Sequence, residues 1–115
     1  MTLEQCYAQM GADYAAVLKR FYDPDMICRF VKRFPSDPSF GQLKAAMAAG
    51  DVKEAFRAAH TLKGVSLNLG FDNLSPSAVA LTEILRTGTF EGAAGQMALV
   101  ETEYARTLDA IRALD

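Results

Sequence analysis

A chain of 115 residues fits one domain, spanning 1–115, and is too short for two ordinary ones. It can still bury roughly two-thirds of the surface its unfolded form exposes, so no metal or disulfide staple is required. Half of the residues are apolar, 23% are charged and the formal net charge is −2, which excludes a nucleic-acid binder that works by neutralising many phosphates. Cys6 and Cys28 stand outside any CxxC or ligand-spaced cluster and read as small hydrophobes. The start Met1-Thr2-Leu3-Glu4-Gln5 lacks a basic stretch leading into an apolar run, so no signal peptide is expected. No segment reaches the ~18 consecutive apolar residues of a membrane span. The expectation is a cytoplasmic monomer, and Met1 with the compact ending at Asp115 favours a free-standing domain.

Helix punctuation organises the chain. Thr2 with Gln5 reads as a capping box opening a helix over 3–20. Asp23-Pro24 opens the next, over 24–34, because the Asp oxygen satisfies first-turn amides and Pro at the first helical position loses no hydrogen bond. Asp37-Pro38 opens 38–49 in the same way, with Phe40, Leu43 and Met47 as its apolar stripe. Gly50 ends it, since glycine tolerates the left-handed C-terminal conformation. Asp51 with Glu54 starts a helix over 52–69 that stops at Gly70. Ser75-Pro76 opens 76–87, striped by Leu74, Ala78, Leu81 and Leu85 and closed by Gly88. The last helix, 90–113, carries Met97, Val100, Tyr104, Leu108 and Ile111 at steps of three and four. Period-two strand patterns are absent. The fold class is all-α: an up-down-up-down four-helix bundle of the later helices, covered by the short N-terminal ones.

The informative segment is Ala58-Ala59-His60-Thr61-Leu62-Lys63-Gly64-Val65-Ser66-Leu67-Asn68-Leu69-Gly70. At about 100° per residue, Val52, Ala55, Ala59, Leu62, Ser66 and Leu69 gather on one side, the expected core face. His60 falls off that face together with Lys53, Arg57, Gly64 and Leu67, and Lys63 lies on the flank one turn from it. Glycine inside a helix costs about 1 kcal/mol relative to alanine, so Gly64 needs a reason. It sits one turn beyond His60, where any side chain would crowd whatever approaches the imidazole. Lys53, Arg57 and Lys63 surround the histidine with cations, an environment suited to phosphoryl oxygens. The competing reading is that Gly64 only allows close helix packing and the charges form a solvated face.

The run H-T-L-K-G-V-S-L-N-L-G resembles the signature of histidine-containing phosphotransfer (HPt) domains, approximately H-x-L-K-G-[SA]-[SA]-x-x-[LI]-G, departing only at Val65, where a small residue is usual. The whole chain is similar to this family: short covering helices, then a four-helix bundle with the histidine midway along its second long helix. The resemblance implies that His60 accepts a phosphoryl group from a receiver-domain aspartate and passes it to another receiver. It implies that Lys63 neutralises phosphoryl oxygens, Gly64 clears space for the partner, Ser66 and Leu69 pack or orient the helix, and Gly70 ends it. Members often orient the imidazole with a polar residue from the neighbouring helix. That position aligns with Thr82, a shorter group, with Glu83 as the alternative; Arg86 matches a position that is often basic.

The partners implied are response-regulator receiver domains and a hybrid sensor histidine kinase. Leu67 and Phe71 would give the docking surface its apolar element, Phe71 having a competing reading as a helix-end core residue. Lys53, Arg57 and Lys63 would face the receiver's acidic pocket, with Arg86 beside them. An exposed neutral imidazole is already a competent nucleophile near neutral pH. No nucleotide-cradling glycine loop is present, so the chain is expected to be a phosphocarrier rather than an enzyme with its own ATP site. It would need no cofactor of its own, magnesium being supplied on the receiver. A rival class is a helical docking module without chemistry. A zinc site is under-coordinated with one histidine and no acidic or sulfur ligand at helical spacing from it, and a cation-rich surface suits heme ligation poorly. Neither nucleic acid nor membrane is expected as a partner.

Overall fold

The computed structural model describes residues Met1–Asp115, which fold as helices without a strand. In chain order these are α1 (Leu3–Gln9), α2 (Tyr14–Phe21), α3 (Pro24–Arg33) with a 3-10 turn at Phe34–Ser36, α4 (Ser39–Ala49), α5 (Val52–Asn68), α6 (Ser75–Arg86) and α7 (Ala93–Arg112). The Thr2–Gln5 capping box forms in full, and Asp23 accepts from the Asp25 amide with Pro24 opening α3.

Several boundaries differ from expectation. The helix expected over 3–20 is two helices. Gly11 takes φ +70, the Ala12 amide bonds back to the Tyr7 carbonyl at 2.8 Å, and Asp13 starts α2 by accepting from the Ala16 amide. Ser75 does not cap α6 but is its first residue, because Leu74 already has helical dihedrals (φ −86, ψ −41). The last helix begins at Ala93 rather than 90, after Gly92 at φ +80. At α4, Asp37 serves as the cap from one residue further out. Its Oδ1 accepts from both the amide and the hydroxyl of Ser39, while Pro38 occupies the cap position.

The bundle is built from α4 to α7, with α4 on α5, α5 on α6 and α6 on α7. Phe40 of α4 and Tyr104 of α7 stack at 3.8 Å and 6°, closing the ring of helices. Its interior holds Leu43, Leu62, Leu81, Leu85 and Val100, all essentially inaccessible. The N-terminal helices lay Tyr7, Met10, Val17, Ile27 and Val31 over one end, and the Arg106 guanidinium ties α7 to the Gln9 carbonyl of α1.

This cover positions the C-terminal end of α5. The Tyr7 hydroxyl donates to the Leu69 carbonyl at 2.6 Å, and the Arg20 guanidinium donates to the carbonyls of Leu67 and Asn68 in the last turn of α5, where carbonyls run short of i+4 amides. Burial first, then the neighbouring Cys6, pushes the Tyr7 hydroxyl above its ordinary pKa, so it remains a donor throughout the neutral range. Tyr7→Phe leaves a buried carbonyl unpaired and should cost about 1–2 kcal/mol, read from urea unfolding. A variant as stable as the parent chain would remove this tether. The stability that Tyr7 contributes is complete below its ordinary value of 10.0 and declines as the pH climbs beyond it.

Candidate functional site

Helix α5 starts where Asp51 accepts from the Glu54 amide at 3.1 Å. The reciprocal half of a capping box is missing, because the Glu54 carboxylate turns to Arg57 instead. Ala55, Ala58, Ala59, Leu62 and Ser66 are buried, and the alanines let α4 and α6 approach closely on either side. The Ser66 hydroxyl donates to the Lys63 carbonyl at 3.1 Å. With the inner face so committed, Lys53, Arg57, His60, Gly64 and Leu67 form one exposed stripe along the helix. Lys63 is half-buried on its flank.

The helix ends by a paired return of the chain. The Phe71 amide bonds to the Ser66 carbonyl at 2.9 Å and the Gly70 amide to the Leu67 carbonyl at 3.2 Å, with Gly70 at φ +70. A Cβ at Gly70 would run into Cγ2 of Val17. Gly70 is therefore fixed by both backbone conformation and space.

Gly64 differs. It has ordinary helical dihedrals, and a Cβ built there meets nothing within 4 Å. Close helix packing therefore does not explain this glycine. The side chain it lacks would stand in solvent, one turn from His60, and helix stability is lowered at that point without any gain in packing.

Neither ring nitrogen of His60 hydrogen-bonds within the protein. Thr82 is fully buried and its hydroxyl donates to the Ala78 carbonyl at 2.7 Å, so the short side chain is spent on its own helix. Glu83 holds Arg86, accepting from Nε and Nη2 at 3.2–3.3 Å. Neither residue orients the imidazole, which corrects the expectation for both. The neighbour that the structure does place against His60 is Phe56, whose ring centroid lies 6.0 Å away with planes 26° apart. The Arg86 guanidinium carbon lies 5.0 Å from the same Phe56 ring.

The surrounding cations are of two kinds. Arg57 is paired with Glu54 at 2.6 Å, a contact that raises the Arg57 pKa further, and Arg86 is paired with Glu83. Lys53, two turns before His60, and Lys63, one turn after it, have no acidic partner and are the free positive charges of this part of α5.

Leu67 is 48% exposed, two turns along from His60. Phe71 is fully buried and corrects the expectation of a partner contact. Its ring meets Phe34 edge-on at 5.0 Å and Tyr7 at 6.0 Å, both brought in by the covering segment. An open cleft of about 390 Å³ on the flank of α5 is lined by Phe30, Phe34, Val65 and Leu69, with Arg33 and Asn68 at its edge. Phe56 and this cleft were not legible as site features. The Glu54–Arg57 pair had a signal, the spacing of three on a helix, but the expectation took Arg57 as a cation free to meet the partner.

No three His, Cys, Asp or Glu side chains converge to hold a metal ion, and no helix is long and apolar enough to cross a membrane. Compared with models of known protein families, residues 30–113 match the Hpt domain, a span that includes all of α4–α7. No curated protein and no solved structure matches the chain.

Proposed function

The chain belongs to the Hpt domain family, whose members are phosphocarriers in two-component phosphorelays, and on that premise we propose that His60 is the residue that carries the phosphoryl group. A lone pair of one ring nitrogen attacks the phosphorus of a receiver's aspartyl phosphate. The N–P bond forms as the P–O bond to the carboxyl group breaks, and the aspartate leaves with that electron pair as a carboxylate. Transfer to a second receiver runs the same exchange in reverse. Such chemistry asks the protein mainly for positioning and charge stabilisation. The receiver contributes magnesium and its acidic cluster; this chain contributes an exposed imidazole, the unpaired Lys63 ammonium beside it, and room for the partner.

The observation that carries this reading is Gly64. Its missing side chain relieves no contact inside the protein; the same is true of Gly41 and Gly95, but Gly64 alone stands one turn from the exposed His60, where the space it leaves would admit a partner. Leu67 would offer that partner an apolar contact and Lys53 a free cation. Arg57 and Arg86 would meet it as ion pairs with their glutamates rather than as bare charges.

The test mixes the protein with receivers carrying labelled aspartyl phosphate. Acid-labile, base-stable label should appear on this chain and then leave it when an unlabelled second receiver is added. Absence of label from every receiver of the same genome would favour the docking-module reading. Gly64→Gln is expected to slow uptake at least tenfold while raising stability by about 0.5 kcal/mol, because glutamine is the better helix former. Stopped-flow transfer and urea unfolding read the two effects, and unchanged transfer would contradict the role given to the gap.

A further inference from the structure

We propose that Phe56 is the positioning residue of this site, holding the His60 imidazole by ring contact where the structure provides no hydrogen bond to hold it. The inference rests on the phosphocarrier reading above. Helical side chains lean back toward the N-terminus, so a residue lies over the one four positions before it. His60 accordingly leans over Phe56, and the two rings are offset-stacked at 6.0 Å and 26°, an arrangement aromatic pairs favour.

Phe56 is itself held. It is half-buried and packed against the core. The Arg86 guanidinium, 5.0 Å from its ring centroid, adds a cation–π contact from the neighbouring helix. Arg86 in turn donates from Nε and Nη2 to the Glu83 carboxylate, an exposed pair that favours this placement. The order runs from Glu83 to Arg86 to Phe56 to His60 and crosses from α6 to α5. Thr82, the group on α6 at the expected orienting position, spends its hydroxyl on Ala78. The ring contact leaves both imidazole nitrogens without an internal hydrogen bond, so whichever nitrogen attacks loses none on phosphorylation. An exposed helical histidine without such a shelf would exchange among staggered rotamers, and only some of these aim a nitrogen along the line of attack. A misplacement of about 1 Å can cost on the order of a hundredfold in rate.

The experiment compares the parent chain with Phe56→Leu and Phe56→Tyr. Two readouts are taken: transfer from a phosphorylated receiver as a function of receiver concentration, and the Hα–Hβ couplings of His60 in the unphosphorylated protein by NMR. Phe56→Leu should lower the limiting transfer rate about tenfold with the half-saturating receiver concentration unchanged, and should average the His60 couplings. Phe56→Tyr, which keeps the ring, should restore both to within about twofold of the parent, and circular dichroism should show all three folded. Parental couplings in Phe56→Leu would overturn the proposal, whatever its transfer rate. So would a Phe56→Leu rate that matches the parent. The couplings need no phosphotransfer, so failure of the parent chain to take label would strike the carrier reading and leave the ring contact to be judged separately.

Discussion

His60→Gln takes up no phosphoryl group from any phosphorylated receiver, yet unfolds within about 0.5 kcal/mol of the parent chain, as substitutions at exposed sites usually do. The two halves of this expectation have separate physical origins. The imidazole is exposed and makes no internal hydrogen bond, so its removal orphans no buried group. Glutamine suits a helix interior better than histidine does, and its aliphatic stem still covers part of Phe56. Chemically nothing replaces the imidazole. The amide nitrogen of glutamine has its lone pair delocalised into the carbonyl and does not attack phosphorus. Labelling under conditions that saturate the parent, together with a urea titration, reads both halves. Label on the variant would place the acceptor elsewhere; a large loss of stability would mean that His60 is structural.

Gly70→Ala should be the most destabilising conservative change in the segment that carries the histidine. Placing a Cβ on a residue at φ +70 costs about 1–2 kcal/mol. The new methyl also collides with Val17, and overpacking of this kind adds about 1–3 kcal/mol. The sum is about 2–5 kcal/mol, which for a domain of this size lowers the melting temperature by about 10 °C or more. Gly64→Ala, six residues earlier and inside α5, should have the opposite sign and stabilise by about 1 kcal/mol. Thermal and urea unfolding of the two variants side by side decide the matter. Equal effects would show that space and backbone conformation do not distinguish the two glycines.

The contrast between these glycines also marks what the sequence could reveal. Gly70 was readable as a helix terminus because it follows a periodic run, and the caps at Thr2, Asp23 and Asp51 lie where short polar residues precede apolar stripes. The break at Gly11–Asp13 was masked. Residues buried on both sides of it, such as Tyr7, Met10 and Val17, recur at intervals that one continuous helix would also give. Ser75-Pro76 carries the letters of a cap, but the chain is already helical at Leu74, and no local rule reports that.

At the site, the exposed stripe from Lys53 to Leu67 follows from helical geometry alone. The setting of Phe71 does not. An aromatic residue just past a helix end can face solvent or core, and here Phe34 and Tyr7, distant in sequence, decide it. The contact of Phe56 with Arg86 depends likewise on the register of α5 against α6, a property of packing that spacing within either helix leaves open.

That the phosphoryl group resides on this imidazole is tested most directly by NMR of protein labelled with 15N-histidine, after incubation with a phosphorylated receiver. His60 is the one histidine in the chain, so a single imidazole is observed without ambiguity. One of its ring nitrogens should shift and show coupling to phosphorus, and should revert when a second, unphosphorylated receiver is added. An unaltered imidazole spectrum while phosphate accumulates on the chain would contradict the assignment of His60 as the acceptor.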